Sequence, residues 1–284
     1  MASLELGFFT RGNVSGSFKK EVTEVINDCY KRFSDRVPYR VAVYLFDTEG
    51  NLNSFLREEK FKLGLSFNNI DDASPCTFEV FRGYPRLLIC NERLSRYSKL
   101  ARAGAIRHEA AHTILHGTLE YSIFQIPDDC KHIAMVKGID QDKLDEVFFQ
   151  ISLGVKDFEA TKFLTDNDYI HCQIAFALEW IKPSEDDQTA WSVSRSNRQT
   201  RFVYESALMR PLLFVDPLLS LPKSRKVPLE EQVQLSARIE QMLDILGDTE
   251  EKKVIQIAGA MIGAFTEDTH NNIDTAFRQT INLI

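Results

Sequence analysis

The chain has 284 residues, 44% of them hydrophobic and 26% charged, with 20 phenylalanines; that is enough to bury a sizeable core and too apolar for a disordered or fibrous chain. Its formal charge of -7 counts against nucleic acid as a partner, because phosphate-binding surfaces carry a basic excess. The opening MASLELGFFTRGNVSG has no basic region ahead of an apolar core, so no secretory leader is expected. Nor does any apolar run reach the ~18 to 20 residues that cross a bilayer. Five cysteines without a Cys-x-x-Cys pair are expected as separate reduced thiols in a cytoplasmic protein with no membrane attachment.

In chain order, residues 16–35 place Phe18, Val22, Val25, Ile26 and Tyr30 on one stripe, which predicts a helix with Ser17 as cap. Residues 39–47 alternate and are rich in β-branched and aromatic side chains; with 78–83 and 85–91, separated by Gly83 and Pro85, they predict a small sheet. Residues 53–76 show no clear period and read mostly as loop. After Asn91 nearly every segment has helical spacing, so the fold class is α+β: a small N-terminal sheet packed on a helix, then a mostly helical C-terminal half. Residues 182–201 are polar and serine-rich and follow a helix ended by Pro183. The expected organisation is therefore a first domain over 1–183, a linker over 184–200 and a helical subdomain over 201–284. There, Pro211, Pro217, Pro222 and Pro228 break the first part into short pieces, and longer helices run through 229–247 and 250–265.

The stretch with chemistry is AIRHEAAHTILHG, residues 105–117. Residues i and i+4 of a helix lie one above the other, so His108 and His112 can present imidazole nitrogens to a single ion. Glu109 sits beside that face, where a carboxylate can take a proton from an activated water. Ala110 and Ala111 keep the helix thin. His116, at i+8 from His108, has rotated ~80° off the ligand face and precedes Gly117, so it is expected to cap the helix end. The third histidine of metzincins falls at a position occupied here by Thr118, which excludes that pattern. A third ligand must come from elsewhere, and His132, His171, Glu120, Glu146, Asp157 and Glu159 are the candidates.

RLLICN, then HEAAHTILHG, then DFEATKFL resembles the cytosolic gluzincin-type zinc metallopeptidases, and the His-Glu-x-x-His-x-x-x-His ending is most similar to the ImmA/IrrE family. The resemblance covers roughly residues 80–165. It implies Zn2+ on His108 and His112, with Glu109 as the catalytic glutamate. Gluzincins take a further acidic ligand from a second helix, with alanine three residues on. Asp157-Phe-Glu-Ala160-Thr161 has that pattern with aspartate in place of glutamate. Asp157 and Glu159 are ~200° apart on a helix, so only one can face the metal. Asp157 has the smaller neighbours and Glu159 the longer reach, and both stand as candidates.

The function implied is a zinc metalloprotease acting on a protein or peptide substrate: an activated water attacks the carbonyl while Glu109 serves as general base. Two alternatives differ in kind. One is regulatory cleavage of a single dedicated partner; the other is a scaffold in which zinc only staples helices. Nothing in the sequence specifies an oligomeric state.

Overall fold

The computed structural model describes residues 5–33, 36–63, 74–222 and 229–284. The protein is α+β, with a four-stranded mixed sheet near the N-terminus and helices through the C-terminal half. Residues 34–35 of the first expected helix, residues 64–73 of the expected loop, and Pro228 lie outside the described residues. The described chain divides into two compact units. The first holds residues 1–122 with 171–176, and the second holds 123–170 with 177–284.

In the first unit, β1 (Glu5–Arg11), α1 (Gly16–Arg32) and β2 (Arg40–Phe46) form a strand-helix-strand turn of the chain. It is followed by α2 (Glu49–Lys62), the hairpin β3 (Cys76–Phe81) and β4 (Tyr84–Cys90), the short α3 (Asn91–Leu94), and α4 (Lys99–Leu115). The sheet order is β1-β2-β4-β3, with β1, β2 and β4 parallel and β3 antiparallel to β4 at the edge. Arg82 and Gly83 both take positive φ, 53° and 83°, the backbone that a tight hairpin between β3 and β4 requires. Pro85 is the second residue of β4, opposite Val80, near the strand end where a missing N–H is tolerated.

Alternation along β2 buries Val41, Val43 and Leu45 completely, while Phe46 joins Leu52 and Phe55 of α2 and Leu88 of β4 in a cluster flanked by Tyr44. Arg86 lies within this aromatic setting, 3.9 Å from the Phe81 ring centroid. Its guanidinium donates to both oxygens of Glu59 and, through Nε at 2.7 Å, to Glu79. The pairing keeps a nearly buried cation from being orphaned. Arg86→Ala is expected to lower the unfolding free energy by about 3 kcal/mol, the lower end for breaking a buried pair, because Glu79 is partly exposed and rehydrates. Urea titration of both proteins measures this.

Two elements here differ from the sequence reading. β1 has no expected counterpart because it is an edge strand with mostly exposed side chains, which leaves little alternation to detect. α2 replaces the first part of the expected loop. Thr48 caps it, its Oγ1 accepting from the Asn51 N–H, but only Leu52 and Phe55 are buried, too narrow a stripe to register as a period.

The second unit contains α5 (Asp128–Val136), the 26-residue α6 (Gln141–Asp166), and a sequence of shorter helices. α7 spans Ile170–Trp180, and its middle, residues 171–176, belongs to the first unit. Then come α8 (Glu185–Ser194), α9 (Arg198–Ala207), α10 (Met209–Leu219), α11 (Leu229–Leu243), α12 (Asp248–Gly263) and α13 (Thr269–Thr280). The expected linker 184–200 contains α8. Ser184 and Asp187 form a capping box there, so the polar composition that suggested a linker is helix-capping chemistry. α6 packs closely on α10: a Cβ on Gly154 would lie 3.1 Å from the Arg210 Cα. No helix among the described residues is long and apolar enough to cross a membrane, and the five cysteines are all buried and unbridged.

Candidate metal centre

α4 is fixed from several sides within its unit. Ser98 caps its start, accepting from the Ala101 N–H at 3.2 Å. Gly104 admits α7 so closely that a Cβ would sit 2.0 Å from the Cys172 carbonyl oxygen, and Gln173 donates to the Gly104 carbonyl at 2.9 Å. From α1, the Tyr30 hydroxyl lies 2.7 Å from that of Thr113, which itself donates to the Ala110 carbonyl. Burial pushes the Tyr30 phenol up, so it remains a hydrogen-bond donor.

His108, His112 and His116 are 3%, 5% and 0% exposed. The Nε2 atoms of His108 and His112 converge to 3.1 Å, and the rings stand nearly perpendicular, with centroids 4.8 Å apart. At the usual zinc–nitrogen distance of about 2.0 to 2.1 Å, that separation corresponds to an angle of about 100° at the ion, within the tetrahedral range. Two imidazole lone pairs cannot sit so close without a proton or a cation between them. On its other side, His112 Nδ1 lies 3.0 Å from His116 Nδ1. A neutral imidazole has one N–H, so a proton spent on Nδ1 leaves the Nε2 lone pair of His112 facing His108.

Aromatic neighbours hold the rings. Phe78 of β3 stacks on His112 at 5.7 Å with 10° between planes, Phe176 lies 5.7 Å from His108, and Tyr121 meets His116 edge-on. His116 caps α4 through its backbone N–H to the His112 carbonyl, at 2.7 Å, while its imidazole turns to His112. The capping expectation holds for the backbone; the side chain has a different partner. The signal was present in the sequence, since His116 is i+4 from His112 even as it drifts from His108. Glu109 is half-buried. Burial raises the Cys76 thiol well above its ordinary range and the Glu109 charge adds to this, so the carboxylate acts on the start of β3.

In the second unit, α6 turns Asp157 and Glu159 to different sides. Glu159 is fully engaged with α13: Oε2 accepts from the Thr269 hydroxyl at 2.8 Å and Oε1 from the Asn272 amide at 2.7 Å. Asp157, 5% exposed, accepts from Arg210 Nε through Oδ2 at 2.6 Å. Arg210 is a partner that sequence reasoning missed, because it lies 53 positions away with nothing local to mark it. One turn along α6 from Asp157, the Thr161 hydroxyl is fully buried with no hydrogen-bond partner among the described residues. An orphaned donor of this kind calls for a water or ligand beside it. The other third-ligand candidates, His132, His171, Glu120 and Glu146, are all exposed, and Glu146 is paired with Lys143.

The structure thus brings His108 and His112 together with Glu109 on the adjoining side of the helix, and separates the roles of Asp157 and Glu159. No protein-family model, curated protein or solved structure matches the chain.

Proposed function

We propose that this protein is a zinc-dependent metallopeptidase whose metal is held by His108, His112 and Asp157. The observation that carries the reading is the 3.1 Å convergence of the His108 and His112 Nε2 atoms on a buried helix that sets Glu109 immediately beside them. Both acids have partners: Glu159 commits both oxygens to α13, while Asp157 accepts from Arg210 through Oδ2; support for Asp157 comes from its face, which it shares with the small residues Gly154 and Thr161. All three proposed ligands are buried and each offers one ligand atom, as a dry site requires.

Bound zinc supplies Lewis acidity, making water nucleophilic at neutral pH and polarising the peptide carbonyl. Glu109 accepts the proton of the attacking water and returns it to the departing amine. His116 holds His112 in the tautomer that leaves Nε2 available, a supporting role usual for groups behind a metal-bound histidine. Phe78 and Phe176 fix the ring planes and keep bulk water away. The substrate is an extended peptide segment. β3 is the edge strand of its sheet, it carries Phe78 against His112, and an edge strand offers backbone groups to an added chain.

The test is metal content and cleavage of an unfolded-protein library, with and without a chelator. About one zinc per chain and chelator-sensitive cleavage are expected; absence of metal under zinc-replete conditions overturns the reading. Ligand assignment has its own test. Asp157→Ala is expected to weaken zinc binding beyond the roughly 10- to 100-fold typical of supporting residues. Glu159→Ala should leave zinc in place and lower stability by about 1 to 3 kcal/mol, because Thr269 and Asn272 lose their acceptor. Zinc titration and urea unfolding of the two variants decide it, and a reversed order makes Glu159 the ligand.

A further inference from the structure

The sheet of the first unit has two edges. β3, which carries Phe78 against His112, is one; β1 is the other, and among the described residues it pairs only with β2. The Glu5 N–H donates to the Tyr39 carbonyl at 2.8 Å, and the Arg11 carbonyl accepts from the Asp47 N–H at 3.3 Å. Peptide groups alternate between the two sides of a strand, so Glu5, Gly7, Phe9 and Arg11 direct theirs to β2. Leu6, Phe8 and Thr10 turn theirs to the open edge. These seven residues contain no proline and pair with β2 without a bulge, and such an edge is a template for another strand.

The residues that an added strand would meet fit a second copy of β1. In an antiparallel copy centred on Phe8, the two Phe8 residues exchange N–H···O=C bonds, and Leu6 of each copy does the same with Thr10 of the other. The pairs between these are Gly7 with Phe9 and Glu5 with Arg11. Phe9 is 45% exposed, and the glycine opposite leaves space for its ring, a pairing that shields an edge glycine. At the ends the charges alternate. Glu5 lies 3.9 Å from Arg40 and Arg11 lies 3.6 Å from Glu58, all four about half exposed. Such long, solvated pairs hold their side chains weakly, and they need not break. Across the junction the order is Arg40, Glu5, Arg11, Glu58, with no two like charges adjacent. A parallel copy in register would instead set Glu5 on Glu5 and Arg11 on Arg11.

We propose that β1 is a self-association edge through which two copies of this chain join antiparallel about a two-fold axis at Phe8, Glu5 of each copy facing Arg11 of the other. The joined sheet runs β3-β4-β2-β1-β1-β2-β4-β3, so the β3 edge stays open in both copies. This pairing does not depend on the peptidase reading.

Sedimentation velocity of the full chain tests it. One strand pair makes a small interface, so a monomer–dimer equilibrium is expected within about 1 to 300 µM. Thr10→Pro, at an exposed position, removes an N–H that faces away from β2, where an edge strand tolerates proline. It should leave a monomer with unchanged far-ultraviolet circular dichroism. Glu5→Arg and Arg11→Glu should each weaken self-association roughly tenfold, because each turns two cross-strand attractions into repulsions. Mixed in equal amounts, these two variants should regain the affinity of the parent, since opposite charges then face each other at both ends. A monomer throughout the concentration range, a dimer that survives Thr10→Pro, or a mixture no tighter than its two components overturns the proposal.

Discussion

Replacing Glu109 by glutamine is expected to leave zinc bound and the fold intact while hydrolysis falls about 10²- to 10⁴-fold, the range for loss of a general base. Glutamine keeps the size of glutamate and most of its hydrogen bonding but cannot accept the proton. Glu109 lies beside the two histidines on α4 and is half-buried, so the substitution removes a carboxylate without opening a cavity in the core. Cleavage by the variant equal to that of the parent removes Glu109 from the mechanism. Cleavage by neither protein, with zinc retained in both, points to a dedicated partner or to a metal that only braces the helix.

The second large effect concerns the ligands. His108→Ala or His112→Ala should reduce bound zinc from about one per chain to a trace after dialysis, since two remaining ligands lose most of the affinity of three. The two variants differ in their side effects. His112 lies between His108 and His116, with a ring nitrogen 3.1 Å from one and 3.0 Å from the other, so its loss disturbs both neighbours. His108→Ala should leave the His112–His116 contact in place. Proton NMR of the imidazole N–H signals checks this, and full zinc occupancy in either variant excludes the histidine pair as the site.

How much of this was legible in the sequence depends on how local the cause was. The histidine pair follows from a four-residue spacing and helix geometry alone; β2 follows from an alternation that buries Val41, Val43 and Leu45 completely, and β4 from a short apolar run between Pro85 and Asn91 that is buried on both faces. β1 and α2 were invisible because each buries too little to leave a period. The choice between Asp157 and Glu159 turned on partners more than fifty positions away: Arg210 for one, Thr269 and Asn272 for the other. No local pattern encodes such pairings. α8 was misjudged for a different reason. Its capping residues and polar face have the composition of a linker, and only the backbone geometry distinguishes the two.

The ion pair between Asp157 and Arg210 gives a buried carboxylate its counter-charge from within the second unit. A carboxylate buried to 5% exposure would ordinarily have to wait for a counter-ion or become protonated. Here the arginine comes from α10, packed against the same helix at Gly154, so the negative charge is balanced by the chain itself. Assembly of the second unit therefore needs no metal, unlike small zinc modules whose unliganded ligands leave the chain unfolded. If zinc is bound as proposed, the Asp157–Arg210 pair means that its loading need not precede folding of this unit.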